Sequence, residues 1–306
     1  MENLKYYIDK ALKEGFALGA FNFSNMENLK GICKACEELK SPVIVAVSES
    51  SFKYMNEHFI MALIESARKT YDCPIFLHLD HGKTFEMCKK AVDVGFDSVM
   101  IDGSSLSFEE NIEITKKVVE YAHSKNVLVE AELGVLSGVE DEVSAEQNIY
   151  TDPQMAKTFV ESTNCDTLAV AIGTSHGAYK YSGNQTLRFD ILSQIEELLP
   201  NYPLVLHGAS TVNKELVDKI NQYGGNIKNS SGIPEELIKD AVTKHNVIKV
   251  NSDTDLRLAM IGQIRELLST DPTNFNFRDH FKSGENKINE VVSGKIISLL
   301  CSNNKY

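Results

Sequence analysis

Residues 75–103, IFLHLDHGKTFEMCKKAVDVGFDSVMIDG, carry the pattern that decides how the rest of the chain is read. The stretch opens on a short apolar run, IFLHLD (75–80), and closes on a second, SVMIDG (98–103). Between them lies FEMCKKAVDVG (85–95), whose apolar residues recur at spacings of three and four. A short, nearly continuous apolar run fits a strand covered on both faces, and three/four spacing fits a helix with one buried stripe. Strand, helix and strand in this order form a unit with two parallel strands. Both strands end on polar groups and glycine: Asp80-His81-Gly82 and Asp102-Gly103.

The same unit repeats in both directions. Apolar runs occur at LGAFN (18–22), VIVAVS (43–48), LVEAELG (128–134), TLAVAIG (167–173), LVLHG (204–208) and VIKVNS (247–252), with amphipathic stretches between them. Eight units in a chain of 306 residues predict an α/β chain folded as a (β/α)8 TIM barrel. A dinucleotide-binding sheet is the competing architecture, but no G-x-G-x-x-G follows the first strand. No Pro/Gly/Ser linker divides the chain, so residues 1–306 are expected to form a single domain, with a C-terminal helical extension from about 270 to 306. Two connections are too long for simple links, 135–151 and 222–234, and connections of that length usually serve function.

Composition narrows the classes. Hydrophobic residues make up 42% and charged residues 24%, which suits a globular chain able to bury its core without staples. The net charge of −12, with no basic cluster, argues against nucleic acid or an anionic membrane as partner. The opening MENLKYYIDKALKEGFALG lacks an apolar signal core, and VIVAV (43–47) and LAVAI (168–172) fall far short of the ~20 residues of a membrane span, so a cytoplasmic location is expected. Of six cysteines, Cys33 and Cys36 form the one CxxC, within a helical pattern; all six are expected to be structural thiols.

Barrels of this kind build their sites at the C-terminal ends of the strands. Here every strand ends on polar residues: Asn22, Ser48, Asp80-His81, Asp102, Glu130 with Glu132, His176, His207 and Asn251 to Thr254. His81, His176 and His207 are each followed by glycine, which lets the backbone turn and leaves room for a ligand. Three imidazoles with an open position are the donor set of a catalytic zinc. His78 shares parity with Asp80 and is expected beside the site, whereas His58, His123 and His245 are expected on solvated helices. Asp80, next to a ligand, can move a proton on metal-bound substrate, and Glu140 in the 135–151 loop can supply a base from a lid. Asp102 and Glu132 fit either structural support or a second cation position. Gly177, Lys180, Gly208, Ser210 and Asn251 to Thr254 place backbone N–H groups, hydroxyls and one cation where barrels bind phosphate.

At these residues the chain resembles the class II, metal-dependent ketose-bisphosphate aldolases, close to fructose-1,6-bisphosphate aldolases of the class IIB branch. The motifs are LHLDHG (77–82), SVMIDGS (98–104), EAELG (130–134), YTDP (150–153), AIGTSHGAYK (171–180), LVLHGAS (204–210) and KVNSDTDLR (249–257), and they span essentially the whole chain. The resemblance implies reversible retro-aldol cleavage of fructose 1,6-bisphosphate through a zinc-stabilised enediolate. It implies Zn2+ on His81, His176 and His207, with Asp102 and Glu132 at an alternative metal position and a second divalent or a monovalent cation assisting. Asp80 would exchange the C4 hydroxyl proton, and Glu140 the proton at C1 of dihydroxyacetone phosphate. Gly177, Lys180, Gly208, Ala209, Ser210, Asn251, Ser252, Asp253 and Thr254 would hold the C1 phosphate, with Asn22, Ser48 and Arg257 facing the aldehyde half. Arg278 would reach the distal phosphate from a neighbouring subunit, in a homodimer or homotetramer. Asp253 and Arg257 together favour fructose over tagatose 1,6-bisphosphate, the alternative substrate within the family. The chain departs from the pattern at Ser252, where a larger residue is usual, and in the longer segment 221–237.

Three other mechanisms fit less well. A Schiff-base aldolase needs a desolvated lysine, and Lys83 and Lys180 lie in polar loops. A zinc hydrolase on this fold would carry H-x-H at the end of the first strand, where this chain has Gly19-Ala20-Phe21-Asn22. A non-catalytic binding or adhesion protein would have lost ligands, and none is lost.

Overall fold

The computed structural model describes residues 2–135, 137–140, 143–145, 149–176, 186–228 and 230–306, with the backbone alone for 137–140, 143–145 and 176. Eleven strands are described: β1 (Leu18–Asn22), β2 (Val43–Ser48), β3 (Ile75–Gly82), β4 (Ser98–Ile101), β5 (Leu128–Leu133), β6 (Ser137–Glu140), β7 (Val143–Ala145), β8 (Thr167–Val170), β9 (Ser175–His176), β10 (Leu204–Leu206) and β11 (Val247–Ser252). The helices are α1 (Leu4–Glu14), α2 (Met26–Glu38), α3 (Glu49–Thr70), α4 (Phe85–Val94), α5 (Phe108–His123), α6 (Pro153–Thr163), α7 (Phe189–Leu198), α8 (Lys214–Gln222), α9 (Glu235–Lys244), α10 (Thr254–Thr270) and α11 (Phe277–Lys295). A π-helical turn, Ile296–Leu300, continues α11. No helix among the described residues is long and apolar enough to cross a membrane.

Eight strands close into an all-parallel barrel in the order β1-β11-β10-β8-β5-β4-β3-β2, the expected (β/α)8 architecture. Their residues are buried almost throughout, because helices cover the outside and side chains fill the inside. Four strands stop earlier than their apolar runs, β5 by one residue, at Leu133. Gly173 (φ 112°) and Gly208 (φ 60°) take left-handed conformations that leave the ladder after β8 and β10, and β4 ends at Ile101. β3 runs two residues longer, to Gly82.

Local chemistry sets the helix boundaries. Asn25, Thr84 and Asp152 cap α2, α4 and α6 by accepting from a backbone N–H in the first turn, and Pro153 follows Asp152 at the first helical position. Ser107 and Glu110 form a reciprocal capping box on α5. Gly15 and Gly95 end α1 and α4 in left-handed conformations. Ser48 caps α3, which begins at Glu49 and kinks at Asn56 (φ 62°).

Helix α1 is an addition to the expected elements. Its Leu4, Tyr7, Ile8 and Ala11 pack with Phe16, Leu18, Ile44, Phe76 and Ile248 and close the N-terminal end of the barrel. The long connection after β5 is not simple loop either. β6 and β7 pair antiparallel, and β6 pairs in parallel with β9, so this excursion is joined by backbone bonds to the segment carrying His176. At the other end of the chain, α11 lies against α2 and α10, and the amides of Asn304 and Lys305 donate to the carbonyls of Leu39 and Lys40.

Candidate active site

Side chains alternate along a strand, so His78 and Asp80, Glu130 and Glu132, and Lys249 and Asn251 each share a face. All six are buried and project into the barrel, where they meet. Asp80 sits at the centre of the rim. Asn22 Nδ2 donates to its Oδ2 at 2.8 Å and Asn251 Nδ2 to its Oδ1 at 2.9 Å, so both oxygens are fixed from β1 and β11. His81 follows it in a left-handed conformation (φ 49°), so the turn falls on the histidine itself. The glycine after it serves packing instead: a Cβ on Gly82 would come within 2.8 Å of the Met100 carbonyl.

The rings of His81 and His207 lie edge to face with centroids 4.5 Å apart. His81 Nδ1 is 2.9 Å from Asp102 Oδ2 and 3.6 Å from Glu132 Oε2. His207 presents Nδ1 to Asp80 at 3.8 Å, and its Nε2 is bonded to Glu130 Oε1 at 2.6 Å. A Cβ on Gly208 would lie 2.7 Å from the Ser175 backbone, so the turn after His207 packs directly on β9. The structure thus brings together Asp80, His81, His207, Asp102 and Glu132, and packs the backbone of Ser175, which precedes His176, against the turn after His207. The side chains of His176 and Glu140, and all of Gly177 and Lys180, lie outside the described residues.

Electrostatics single out the same cluster. Burial pushes the Asp80 carboxyl up, but His81, His207, Lys249 and the Asn22 bond outweigh it and hold the group below its ordinary range. For His81, burial opposes the charge, yet Asp80, the bond to Asp102, and Glu132 raise the imidazole to about 10. Asp102 is held low against burial by His81 and Ser104, whereas burial and the neighbouring Asp102 push Glu132 well above its ordinary value. Three acidic side chains converge on one imidazole, and together they favour a positive charge at that point.

Two sets of donor atoms lie within 4.8 Å of one another, Asp80-His81-His207 and His81-Asp102-Glu132. They share His81, and their imidazole and carboxylate donors suit zinc and similar divalent ions. Glu132 Oε2 is buried without a hydrogen-bond partner among the described residues, as are Asn251 Oδ1 and Ser252 Oγ at the rim. Buried polar atoms are rarely left unmatched, and these fit a metal and a polar ligand.

The other predicted residues are less tightly gathered. Gly208, Ala209 and Ser210 follow β10, while Ser252, Asp253 and Thr254 join β11 to α10; all six are buried. Ser48 Oγ accepts from Ser51 N as the α3 cap. Arg257 is paired with Asp253 at 2.6 Å. Arg278 is exposed on the first turn of α11 and bonded to Asn276.

Some side chains differ from expectation. His123 and His245 are not simply solvated: they pair with Asp166 at 2.9 Å and Glu196 at 3.1 Å, and His245 stacks on Phe189. His58 is exposed, and His280 is buried with Nε2 bonded to the Asn274 carbonyl. Cys33, Cys36, Cys73, Cys88 and Cys165 are buried, and burial pushes their thiols up, which suits structural roles. Sequence reading missed the role of Lys249. Its ammonium lies 2.8 Å from Glu130 Oε2 and 3.4 Å from His78 Nε2, with both partners buried, and burial together with Lys249 keeps His78 neutral. The shared parity of Lys249 with Asn251 was the available signal.

Comparison with known proteins identifies the family of the chain. The model of the family described as class-II fructose-bisphosphate aldolase matches residues 2–305. The chain is similar to the fructose-bisphosphate aldolase of Treponema pallidum, 44% identical over 96% of this chain and 94% of that protein. It is also similar to that of Giardia intestinalis, 46% identical over 96% of this chain and 91% of that protein. Among solved structures, the YdjI aldolase from Escherichia coli K12 superposes with a TM-score of 0.80 at 31% identity, covering 99% of this chain and 98% of that one. The chain belongs to the class II fructose-bisphosphate aldolase family.

Proposed function

We propose that this chain is a metal-dependent aldolase that reversibly cleaves fructose 1,6-bisphosphate to dihydroxyacetone phosphate and glyceraldehyde 3-phosphate. The observation that carries the reading is the convergence of His81, His207, Asp80, Asp102 and Glu132 on one point of the rim of a family barrel. His81, His207 and, by the family resemblance, His176 would hold Zn2+, and Asp102 and Glu132, grouped with His81, would offer a second position for a cation. When bound there, the ion supplies Lewis-acid polarisation of the ketose carbonyl.

The chain's own residues do the rest. Asp80, pinned by Asn22 and Asn251, takes the proton of the C4 hydroxyl as the C3–C4 bond breaks and returns it in the reverse direction. Glu140, on the excursion joined to β9, moves the proton at C1 of dihydroxyacetone phosphate. Gly177, Lys180, Gly208, Ala209, Ser210 and Asn251 to Thr254 hold the C1 phosphate, and Asn22, Ser48 and Arg257 face the aldehyde half. The distal phosphate is met by Arg278 of a second copy, in a homodimer or homotetramer working in the cytoplasm. Residues 1–306 act as one barrel domain, with the helices from about 270 onward as its extension. The Asp253–Arg257 pair favours fructose over tagatose bisphosphate.

Three variants test the roles. His207→Ala is expected to lose metal uptake. Asp80→Ala is expected to keep the metal and lose at least ~100-fold in kcat for cleavage. Glu140→Ala should slow exchange of the C1 proton with metal content unchanged. Metal analysis, a coupled assay and isotope exchange read these outcomes, and wild-type behaviour in all three rejects the assignment.

A further inference from the structure

The two loops on the phosphate side of the rim are tied together from behind by a helix outside the barrel wall. Asp255, the second residue of α10, directly follows the Ser252–Thr254 segment. Its Oδ2 accepts the N–H of Thr211 at 2.9 Å and the Thr211 hydroxyl at 3.2 Å, and Thr211 directly follows Gly208–Ser210. The same oxygen receives Lys295 Nζ from the end of α11 at 2.6 Å, with the two side chains 6% and 1% exposed. Lys295 also reaches the Thr211 hydroxyl at 3.5 Å.

The Thr211 loop is held from its other side as well. Ile233 N donates to the Ser210 carbonyl at 3.3 Å, and a Cβ on Gly232 would overlap the Thr211 carbonyl. The longer 221–237 segment therefore packs against the phosphate loop. Val212, next in the chain, has φ 46°, a left-handed conformation for a β-branched residue. Such a conformation persists where the surroundings over-determine it.

A buried ion pair is a weak source of net stability, since well-packed apolar side chains do as well. What this one fixes is the spacing between two donor-bearing loops. We infer that Lys295, acting through Asp255 and Thr211, is a positioning residue that holds the 208–211 and 252–255 loops so that their donors converge on one phosphate. It sets affinity for that phosphate, not the rate of carbon–carbon cleavage. The inference rests on the phosphate cradle proposed above.

The test uses the full-length, metal-loaded enzyme with Lys295→Met, which removes the charge at similar length, and Lys295→Arg, which keeps it. Inorganic phosphate is titrated calorimetrically, and KM and kcat are measured with fructose 1,6-bisphosphate. Lys295→Met is expected to weaken phosphate binding and raise KM by about tenfold, with kcat within about threefold and metal content unchanged. Lys295→Arg should recover most of the loss. A folded Lys295→Met enzyme with unchanged KM and phosphate affinity, or one impaired in kcat alone, overturns the inference. Should Lys295→Met not fold, Thr211→Val removes the shared hydroxyl at nearly constant shape. Its KM is expected to rise about threefold, and an unchanged KM is again contrary. If the wild-type enzyme binds phosphate but does not cleave the bisphosphate, the proposed reaction is wrong, and the phosphate titration still decides the role of Lys295.

Discussion

Asp80 is a carboxylate whose two oxygens are oriented by the side-chain amides of Asn22 and Asn251, while His81, His207 and Lys249 favour its charged form against burial. Behind it a second chain of contacts, Lys249 to Glu130 to His207, orients the imidazole proposed as a metal ligand. Lys249→Met would leave Glu130 buried without its counter-ion. We expect it to cost about 3–5 kcal/mol in urea unfolding. Metal affinity, measured by competition with a chromogenic chelator, should fall at least ~10-fold as His207 loses its orienting partner. Unchanged stability and affinity would show that the pair is incidental. The histidines and acids at the strand ends were legible because position on a barrel rim gives a polar residue meaning. Lys249 was not, because β11 and β5 are not neighbours in the barrel and their side chains meet only across its interior.

The apolar runs that mark the eight barrel strands were legible because strands covered on both faces need no alternation. Helix α1 has its apolar residues Leu4, Tyr7, Ile8 and Ala11 at helical spacing, yet the closure of the barrel floor emerges only when its partners come from β1, β2, β3 and β11. The β6–β7 hairpin was hidden for a related reason: its strands are short, and part of its pairing comes from β9, about thirty-five residues away. Floor and rim are separate in function, since barrels place stability at the N-terminal face and chemistry at the other. Ile8→Ala is accordingly expected to cost about 2–4 kcal/mol in denaturant unfolding. The kcat and metal content of the folded variant should stay at wild-type levels. A folded Ile8→Ala enzyme with impaired kcat would argue against that separation.

At the scale of the whole molecule, a chain with net charge −12 is proposed to bind a substrate with two phosphates. The global field opposes such a ligand, so attraction has to come from the rim. There the acidic groups around His81 are proposed to hold a cation, and the loops proposed to take the phosphate carry the hydroxyls of Ser210, Ser252 and Thr254. The acidic body favours solubility, while binding depends on charge held locally. The central claim is that the chemistry runs through this metal-dependent rim. Its most direct test is cleavage of fructose 1,6-bisphosphate in a coupled assay before chelation, after EDTA and gel filtration, and after addition of one equivalent of Zn2+. The account predicts activity that is lost on chelation and regained with zinc, with tagatose 1,6-bisphosphate a poorer substrate throughout. Full activity in the chelated enzyme, with borohydride trapping substrate on a lysine, would contradict it.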